Sequence, residues 1–293
     1  MKVLADKVAL VAGASRGCGR GIAIALGDAG ATVYASGRTT RDGPKPVDGA
    51  PGTIEDTAEE VNRRGGHGIP VHLDHTDPAQ VGKLFAQIRR DHGRLDILAC
   101  AVWGGNERYL DPVWNERFWE QPARGWEEFV GAGPQAFWLA AREAARIMVP
   151  AGSGLILAVS EPILEQASDE QGPWMSVTFS HLAHYSINQL VRDLGRDARA
   201  SGVAVIGLLP GFMKTERVQM HLPDEKTRKE SHYDLAESTE YSGRAVVALA
   251  TDPNVLTRTG KLVYVADLAE EYGFTDIDGK RVGNFYKIFG LIP

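Results

Sequence analysis

The sequence predicts an α/β protein with a doubly wound parallel sheet of about seven strands and helices on both faces, in one domain over residues 1–293. Two observations predict this class. Short apolar runs alternate with longer stretches of helical periodicity, as is typical of βαβ units with right-handed crossovers. Several of the runs are apolar at every position, as expected for parallel strands that are covered on both faces.

The elements follow one another in a regular order. Strands are predicted at Val8–Ala12, 32–36, 69–73, 95–101, 155–160, Val203–Leu209 and 261–265. Helices are predicted near 17–29, 53–64, 78–92, 125–149, 175–200 and 236–251. Loops are predicted at 39–52, 103–124 and 212–233. Because open α/β sheets bind ligands at the carboxyl ends of their strands, the last two loops are candidates to enclose a substrate.

The amino-acid composition limits the classes of molecule that the protein is expected to bind. With 32 Lys and Arg against 38 Asp and Glu, the net charge of −6 argues against nucleic acid or an anionic membrane. The two cysteines form no disulfide framework, and the N-terminus lacks the pattern of a signal peptide, so we expect a cytoplasmic protein. His181 and His184 have metal-ligand spacing without a third ligand, and no metal is expected. The expected partner is a small-molecule substrate.

A glycine-rich turn predicts the cofactor site. The glycines of V-A-G-A-S-R-G-C-G follow the first strand and open the first helix. Glycine allows a tight turn and a close approach of the backbone to a pyrophosphate, and the helix N-terminus favours negative charge. The predicted dinucleotide-binding residues here are Gly13, Ser15, Arg16, Gly17, Cys18 and Gly19.

The end of the second strand predicts which dinucleotide is bound. Gly37 stands where an NAD site needs an acid for the ribose hydroxyls, and Arg38 follows it. Arg16 lies in the glycine turn, and Arg41 and Lys45 follow in the loop. Guanidinium groups suit a doubly charged 2′-phosphate, so NADP(H) is the preferred cofactor and NAD(H) the second choice, and a vestigial site stays open as an alternative.

The G-x-x-x-G-x-G spacing resembles the short-chain dehydrogenase/reductase family. The stretches FWEQPARGW, MVPAGSGLI and YGFTDIDGK are similar to its dehydrogenase/reductase member 1-like branch. The resemblance covers almost the whole chain and implies a Rossmann fold, oxidoreductase activity and homodimers or homotetramers paired through helices 125–149 and 175–200. It also implies further cofactor contacts from Asp74, Cys100, Pro210, Gly211 and Thr215.

The same resemblance shows a departure at the catalytic centre. The positions of the family's Tyr and Lys fall on Ser180 and His184, and that of its Ser on Glu161, one residue after Ser160. The position of its Asn falls on Gly131. Ordinary ketone reduction is therefore expected to be slow. The candidate catalytic residues are His184, Ser180, Ser160, Glu161 and Tyr185, with any proton chemistry expected through His184.

Aromatic side chains are concentrated in the segments that reach the same edge. Trp103, Trp119, Trp174 and Phe179 are the predicted walls of a pocket for an apolar or aromatic ligand. Trp126 and Trp138 are interpreted as core or subunit-interface residues. Three functions stay open: an atypical NADP(H)-dependent oxidoreductase, a non-redox dehydratase, cyclase or isomerase, and a protein that holds the dinucleotide without turnover.

Overall fold

A seven-stranded parallel sheet forms the centre of the protein in a computed structural model that describes residues 2–105, 116–163 and 178–292. The strands are β1 (Val8–Ala12), β2 (Thr32–Gly37), β3 (His67–His72), β4 (Ile97–Cys100), β5 (Gly154–Val159), β6 (Val203–Leu209) and β7 (Leu262–Tyr264). Their order is β3-β2-β1-β4-β5-β6-β7. The predicted fold class is confirmed, and the reversal of strand order beside β1 places a ligand crevice there.

Ten α-helices connect or follow the strands in the described residues. They are α1 (Gly17–Asp28), α2 (Ile54–Arg63), α3 (Pro78–His92), α4 (Ala136–Ala151), α5 (Thr178–Ala198), α6 (Glu216–His221), α7 (Glu225–Glu230), α8 (Thr239–Thr251), α9 (Val265–Tyr272) and α10 (Phe285–Ile288). None of the helices within those described ranges is long and apolar enough to cross a membrane.

Two cores, one on each face of the sheet, hold the helices in place. Successive strand residues point to opposite faces, so Val11 of β1 packs with α1, α8 and α9, whereas Leu10 packs with α3, α4 and α5. The side chains of Ile22 and Phe137, one in each core, are almost completely buried. The strands are apolar along their length because both of their faces are covered.

The single helix predicted over 125–149 is interrupted in the structure. A widened π-type turn spans Trp126–Gln135 and α4 begins only at Ala136. Pro134 lacks the N–H that a regular helix needs at this position, so the helical hydrogen-bond ladder is interrupted there. Trp126 and Trp138 are exposed, so their interpretation as core residues is wrong. The interpretation as subunit contacts stays a prediction.

Two other segments are more ordered than the sequence predicts. The loop 212–233 contains α6 and α7, because Thr215 and Asp224 accept backbone N–H groups as N-caps. The C-terminal region adds α9 and α10, which the sequence analysis did not predict. Asn284 caps α10 and also donates to Asp267 of α9, which fastens the C-terminal segment to the sheet edge.

A matched pair of glycine substitutions tests the close packing beside β1. A Cβ at Gly19 of α1 would lie 2.2 Å from the Gly13 carbonyl oxygen, whereas one at Gly82 of α3 meets nothing within 4 Å. We expect Gly19→Ala to lower the free energy of unfolding by about 2–3 kcal/mol. Gly82→Ala should raise it by about 0.5–1 kcal/mol, since it restricts the unfolded chain. Urea unfolding measures both, and equal effects would contradict this account.

Candidate active site

The glycine turn between β1 and α1 has the backbone that its sequence requires. Gly13 and Gly17 have φ angles of +81° and +57°, in the left-handed region that glycine tolerates best. A Cβ at Gly13 would lie 2.7 Å from the carbonyl oxygen of Ala101, just after β4. The backbone of the turn is therefore in close contact with the residues that follow β4, at the switch point between β1 and β4.

An anionic oxygen already binds at the start of α1. The Gly17 N–H donates to Oε2 of Glu216, 2.7 Å away. The first turn of α1 carries no acidic residue of its own. Because the N-terminus of a helix favours negative charge, this carboxylate stands in for a phosphate oxygen. The residues present at this turn therefore fit the pyrophosphate of a dinucleotide.

Two of the basic residues near this turn have partners within the protein. Arg16 donates to the carbonyls of Pro51 and Gly52 and to the Thr39 hydroxyl, so it fastens the loop 39–52 to α1. Arg41 pairs with Asp56 and Glu59 of α2. Both guanidinium groups are engaged with the protein itself. Arg38 is exposed at the end of β2, directly after Gly37, which is the position that the sequence assigns to the 2′-phosphate.

Arg38 borders a cleft of about 300 Å³ at the carboxyl ends of β2, β3 and β4. Its other lining residues are Val47, Thr76, Gly104, Glu127, Glu128 and Ala132. Asp74, at the end of β3, accepts the backbone N–H and the hydroxyl of Thr76 through Oδ1 and so shapes this wall. The cleft lies at the carboxyl ends of strands on both sides of β1, where the adenosine half of a dinucleotide is expected.

Three other predicted cofactor residues are buried in this region. Burial raises the pKa of Cys18 to about 12 and that of Cys100 to about 11, so both thiols stay protonated. Ser15 is also buried, and its carbonyl is closely approached by Gly52 of the loop 39–52. We expect these residues to contribute backbone shape rather than reactive side chains.

The turn after β6 is supported by a buried carboxyl. Pro210 follows β6 directly, and the Gly211 N–H donates to Oε2 of Glu237 at 3.2 Å. Glu237 is 1% exposed, and burial raises its pKa to about 8, so it is mostly protonated at neutral pH. Thr215, the remaining predicted residue of this turn, caps α6 by accepting from the Val218 N–H.

His184 of α5 meets two residues from the end of β5. Its Nδ1 lies 3.2 Å from the Ser160 hydroxyl oxygen, and its Nε2 lies 3.7 Å from Oε2 of Glu161. Ser160 is 2% exposed, whereas the Glu161 side chain is 64% exposed. Asn188, one turn further along α5, holds the Glu161 carbonyl with its side-chain amide. The imidazole of His184 therefore lies between the buried Ser160 hydroxyl, at hydrogen-bonding distance, and the exposed Glu161 carboxylate, at ion-pair distance.

Burial decides the charge of His184. It lowers the pKa of the imidazole, and this effect outweighs the nearby Glu161 carboxylate, which raises it. The ring is therefore mainly neutral at pH 7. A neutral ring with Nε2–H directed at Glu161 and Nδ1 accepting from Ser160 satisfies both contacts. Such a group can accept a proton at neutral pH but donates one less readily.

A cluster of aromatic side chains lies beside His184. Trp103 stacks on His184 with ring centroids 4.2 Å apart and contacts Phe129 edge-on at 5.8 Å. Phe179 also stacks on Phe129, with ring centroids 6.5 Å apart. Trp119 is 59% exposed and instead contacts Phe118 and Arg117. Trp174 lies outside the described residues. Of the predicted pocket residues, the structure brings together Trp103 and Phe179 through Phe129.

The remaining candidates on α5 have no such ring or hydrogen-bond contacts among the residues that the structure describes. Ser180 lies one turn before His184 and is partly exposed, and the Tyr185 side chain is largely exposed. Tyr286 of α10 is a further candidate that no sequence motif indicated, and its ring contacts Tyr264 at the end of β7. Burial and the nearby carboxyls of Glu161 and Glu237 raise the pKa of Tyr286 well above 10. Tyr286 and Glu161 are far apart in the sequence, so only the folded position of the C-terminal segment reveals that this phenol lies near the candidate Glu161.

Comparison with known proteins identifies the class. The family model described as short chain dehydrogenase matches residues 7–226. A mouse protein, dehydrogenase/reductase SDR family member 1, is 37% identical over 96% of this chain and 87% of its own length. Its human counterpart is 35% identical over 98% of this chain and 88% of its own. The chain belongs to the short-chain dehydrogenase/reductase family, in the branch of these two relatives.

Solved structures agree with the fold. A short chain dehydrogenase from Mycobacterium thermoresistibile matches with a TM-score of 0.76 at 22% identity, over 95% of this chain and 94% of that one. A protein described as an NAD(P)-dependent gluconate 5-dehydrogenase from Beutenbergia cavernae, with NADP bound at low occupancy, has a TM-score of 0.69 at 24% identity. The latter match covers 89% of this chain and 96% of that one. Within the described ranges, no three acidic, His or Cys side chains form a group that could hold a metal ion.

Proposed function

We propose that this protein is an atypical NADP(H)-dependent oxidoreductase that acts on an apolar or aromatic carbonyl or hydroxyl compound. The carrying observation is the anion contact at Gly17, on the same sheet edge as Arg38 and the Trp103–His184 stack. The Gly17 N–H and Arg38 suit the phosphates of the dinucleotide, and the stacked rings of Trp103 and His184 suit a flat organic substrate.

The residues divide into two groups by what they bind. The glycine turn at 13–19 would hold the pyrophosphate, Arg38 the 2′-phosphate, and the turn at Gly211 the nicotinamide end. The bound cofactor supplies the hydride chemistry of the reaction. Glu237 keeps the turn in place, because its protonated carboxyl still accepts the Gly211 N–H. Trp103 and Phe179 would orient the substrate and exclude water from it.

Proton transfer is the step for which this chain departs from its family. By the spacing from Pro210-Gly211, the positions of the family's Tyr and Lys fall on Ser180 and His184, and that of its Ser falls on Glu161. His184 is the proposed proton carrier, with Ser160 on one ring nitrogen and Glu161 near the other. Since its pKa is lowered, reduction at neutral pH relies on a small protonated fraction. Slow turnover follows from this electrostatic arrangement.

The proposal is tested by following NADPH absorbance with a panel of aromatic and aliphatic ketones, aldehydes, quinones and enones. We expect slow consumption with aromatic substrates, and a Trp103→Ala variant should lose about tenfold in kcat/KM for them while aliphatic substrates change little. Consumption with none of the classes, while NADPH is bound, would favour the non-turnover protein. Conversion of a substrate without NADPH consumption would favour the non-redox enzyme.

A further inference from the structure

Two surface segments meet above the glycine turn. The loop 39–52 is fastened to α1 by Arg16, through its bonds to Thr39, Pro51 and Gly52. The helix α6 is fastened to the same loop by an ion pair between Arg217 and Asp48, whose side chains are mostly buried. The Arg217 guanidinium holds the pKa of Asp48 below its usual range against the effect of burial, so the pair stays charged. We call the loop 39–52 and α6 together the strap.

The strap brings a carboxylate to the start of α1. Glu216 precedes Arg217 in α6 and accepts the Gly17 N–H at 2.7 Å, across 199 residues of sequence. The methyl group of Thr215 lies 3.7 Å from the position of a Cβ on Gly17. The first turn of α6 therefore lies directly over the first turn of α1. The contact is favourable because the helix N-terminus is partly positive and the Glu216 carboxylate is negative.

We infer that Glu216 is an internal anion that competes with the cofactor's phosphates for the N-terminus of α1, so that the strap sets the cofactor affinity. The inference rests on the proposed function in one respect, the identity of the incoming ligand as a dinucleotide. One N–H cannot donate strongly to two anionic oxygens, and two anions side by side repel each other. A phosphate that binds Gly17 must therefore displace the Glu216 carboxylate.

The experiment removes the charge of Glu216 and keeps its shape. In the Glu216→Gln variant, the neutral amide oxygen competes less well than a carboxylate, so binding of inorganic pyrophosphate and of NADPH should each tighten about tenfold. Isothermal titration calorimetry of the full chain measures both ligands. The matched control is Glu225→Gln in α7. Within the part of the chain that the structure describes, the Glu225 carboxylate forms an ion pair only with Lys229 of the same helix. This control should leave both affinities unchanged.

A second variant keeps the test decisive if Glu216→Gln folds poorly, which a shift in its thermal unfolding midpoint would reveal. Arg217→Gln loosens α6 from the loop 39–52 without changing the carboxylate, and it should tighten pyrophosphate binding about threefold. Unchanged or weaker pyrophosphate binding in the folded variants would overturn the inference, as would failure of every form to bind pyrophosphate. Tighter pyrophosphate binding without any NADPH binding would support the inference and refute the proposed cofactor.

Discussion

The rate of ketone reduction by this protein is expected to fall about tenfold for each unit of pH between 7 and 9, or about a hundredfold over the whole interval. The reason is that burial lowers the pKa of His184 below its usual 6.5, so that its protonated fraction is already small at pH 7 and shrinks further as pH rises. Reduction needs the protonated ring. Oxidation of an alcohol needs the neutral ring, and its rate should be nearly constant over the same interval.

Two substitutions isolate this effect. His184→Gln replaces the ring by a hydrogen-bonding amide that does not titrate, so the residual reduction rate should lose its pH slope. The control His181→Gln changes an exposed histidine three residues earlier on α5 and should keep the slope. A steady-state rate profile for each protein provides the measurement. A wild-type rate that is constant from pH 7 to 9 would show that another group donates the proton.

Tyr286 is the group that such a constant profile would indicate. Its raised pKa keeps the phenol protonated throughout this interval, because burial and the Glu161 and Glu237 carboxyls disfavour the phenolate. A Tyr286→Phe variant would then lose most of the activity. If His184 is the proton carrier, the same variant should keep the pH slope of the wild-type protein. The two residues therefore give opposite results in one experiment.

Arg38→Ala is expected to weaken NADPH binding by about 30–150-fold, which corresponds to about 2–3 kcal/mol for a lost guanidinium–phosphate contact. NADH lacks the 2′-phosphate, so its affinity should change little. Quenching of tryptophan fluorescence measures both affinities. Arg41→Ala is the matched control, since the Arg41 guanidinium pairs with Asp56 and Glu59 and should not touch the cofactor. Equal affinities of the wild-type protein for NADPH and NADH would refute the assignment of Arg38.

Those parts of the candidate cofactor site that are formed by residues close together in the sequence could be predicted from the sequence. Gly13, Gly17 and Gly19 lie within seven positions of one another, and their strand–turn–helix context fixes their backbone. Arg38 is likewise placed by the end of β2. The parallel sheet with helices on both faces follows from the alternation of short apolar runs with helical stretches, because both faces of such a sheet must be covered. The order of the strands within the sheet was not predicted. These predictions needed no knowledge of distant contacts.

The rest depends on contacts between distant parts of the chain. Arg16 and Arg41 carry the charge that a phosphate site needs, but the folded loop and α2 supply their partners. Glu216 reaches Gly17 only because α6 folds over the turn. Glu237 shows no sequence pattern that marks it as buried beside Gly211. The pKa of His184 was undetermined from sequence because burial and Glu161 act in opposite directions.

A crystal structure of the protein with NADPH tests the central claim most directly. We predict the pyrophosphate at the Gly17 N–H in place of the Glu216 carboxylate, the 2′-phosphate on Arg38, and the reactive face of the nicotinamide toward His184 and Trp103. Binding of the dinucleotide elsewhere, or a nicotinamide ring that faces away from His184 with no room for a substrate beside Trp103, would contradict the account.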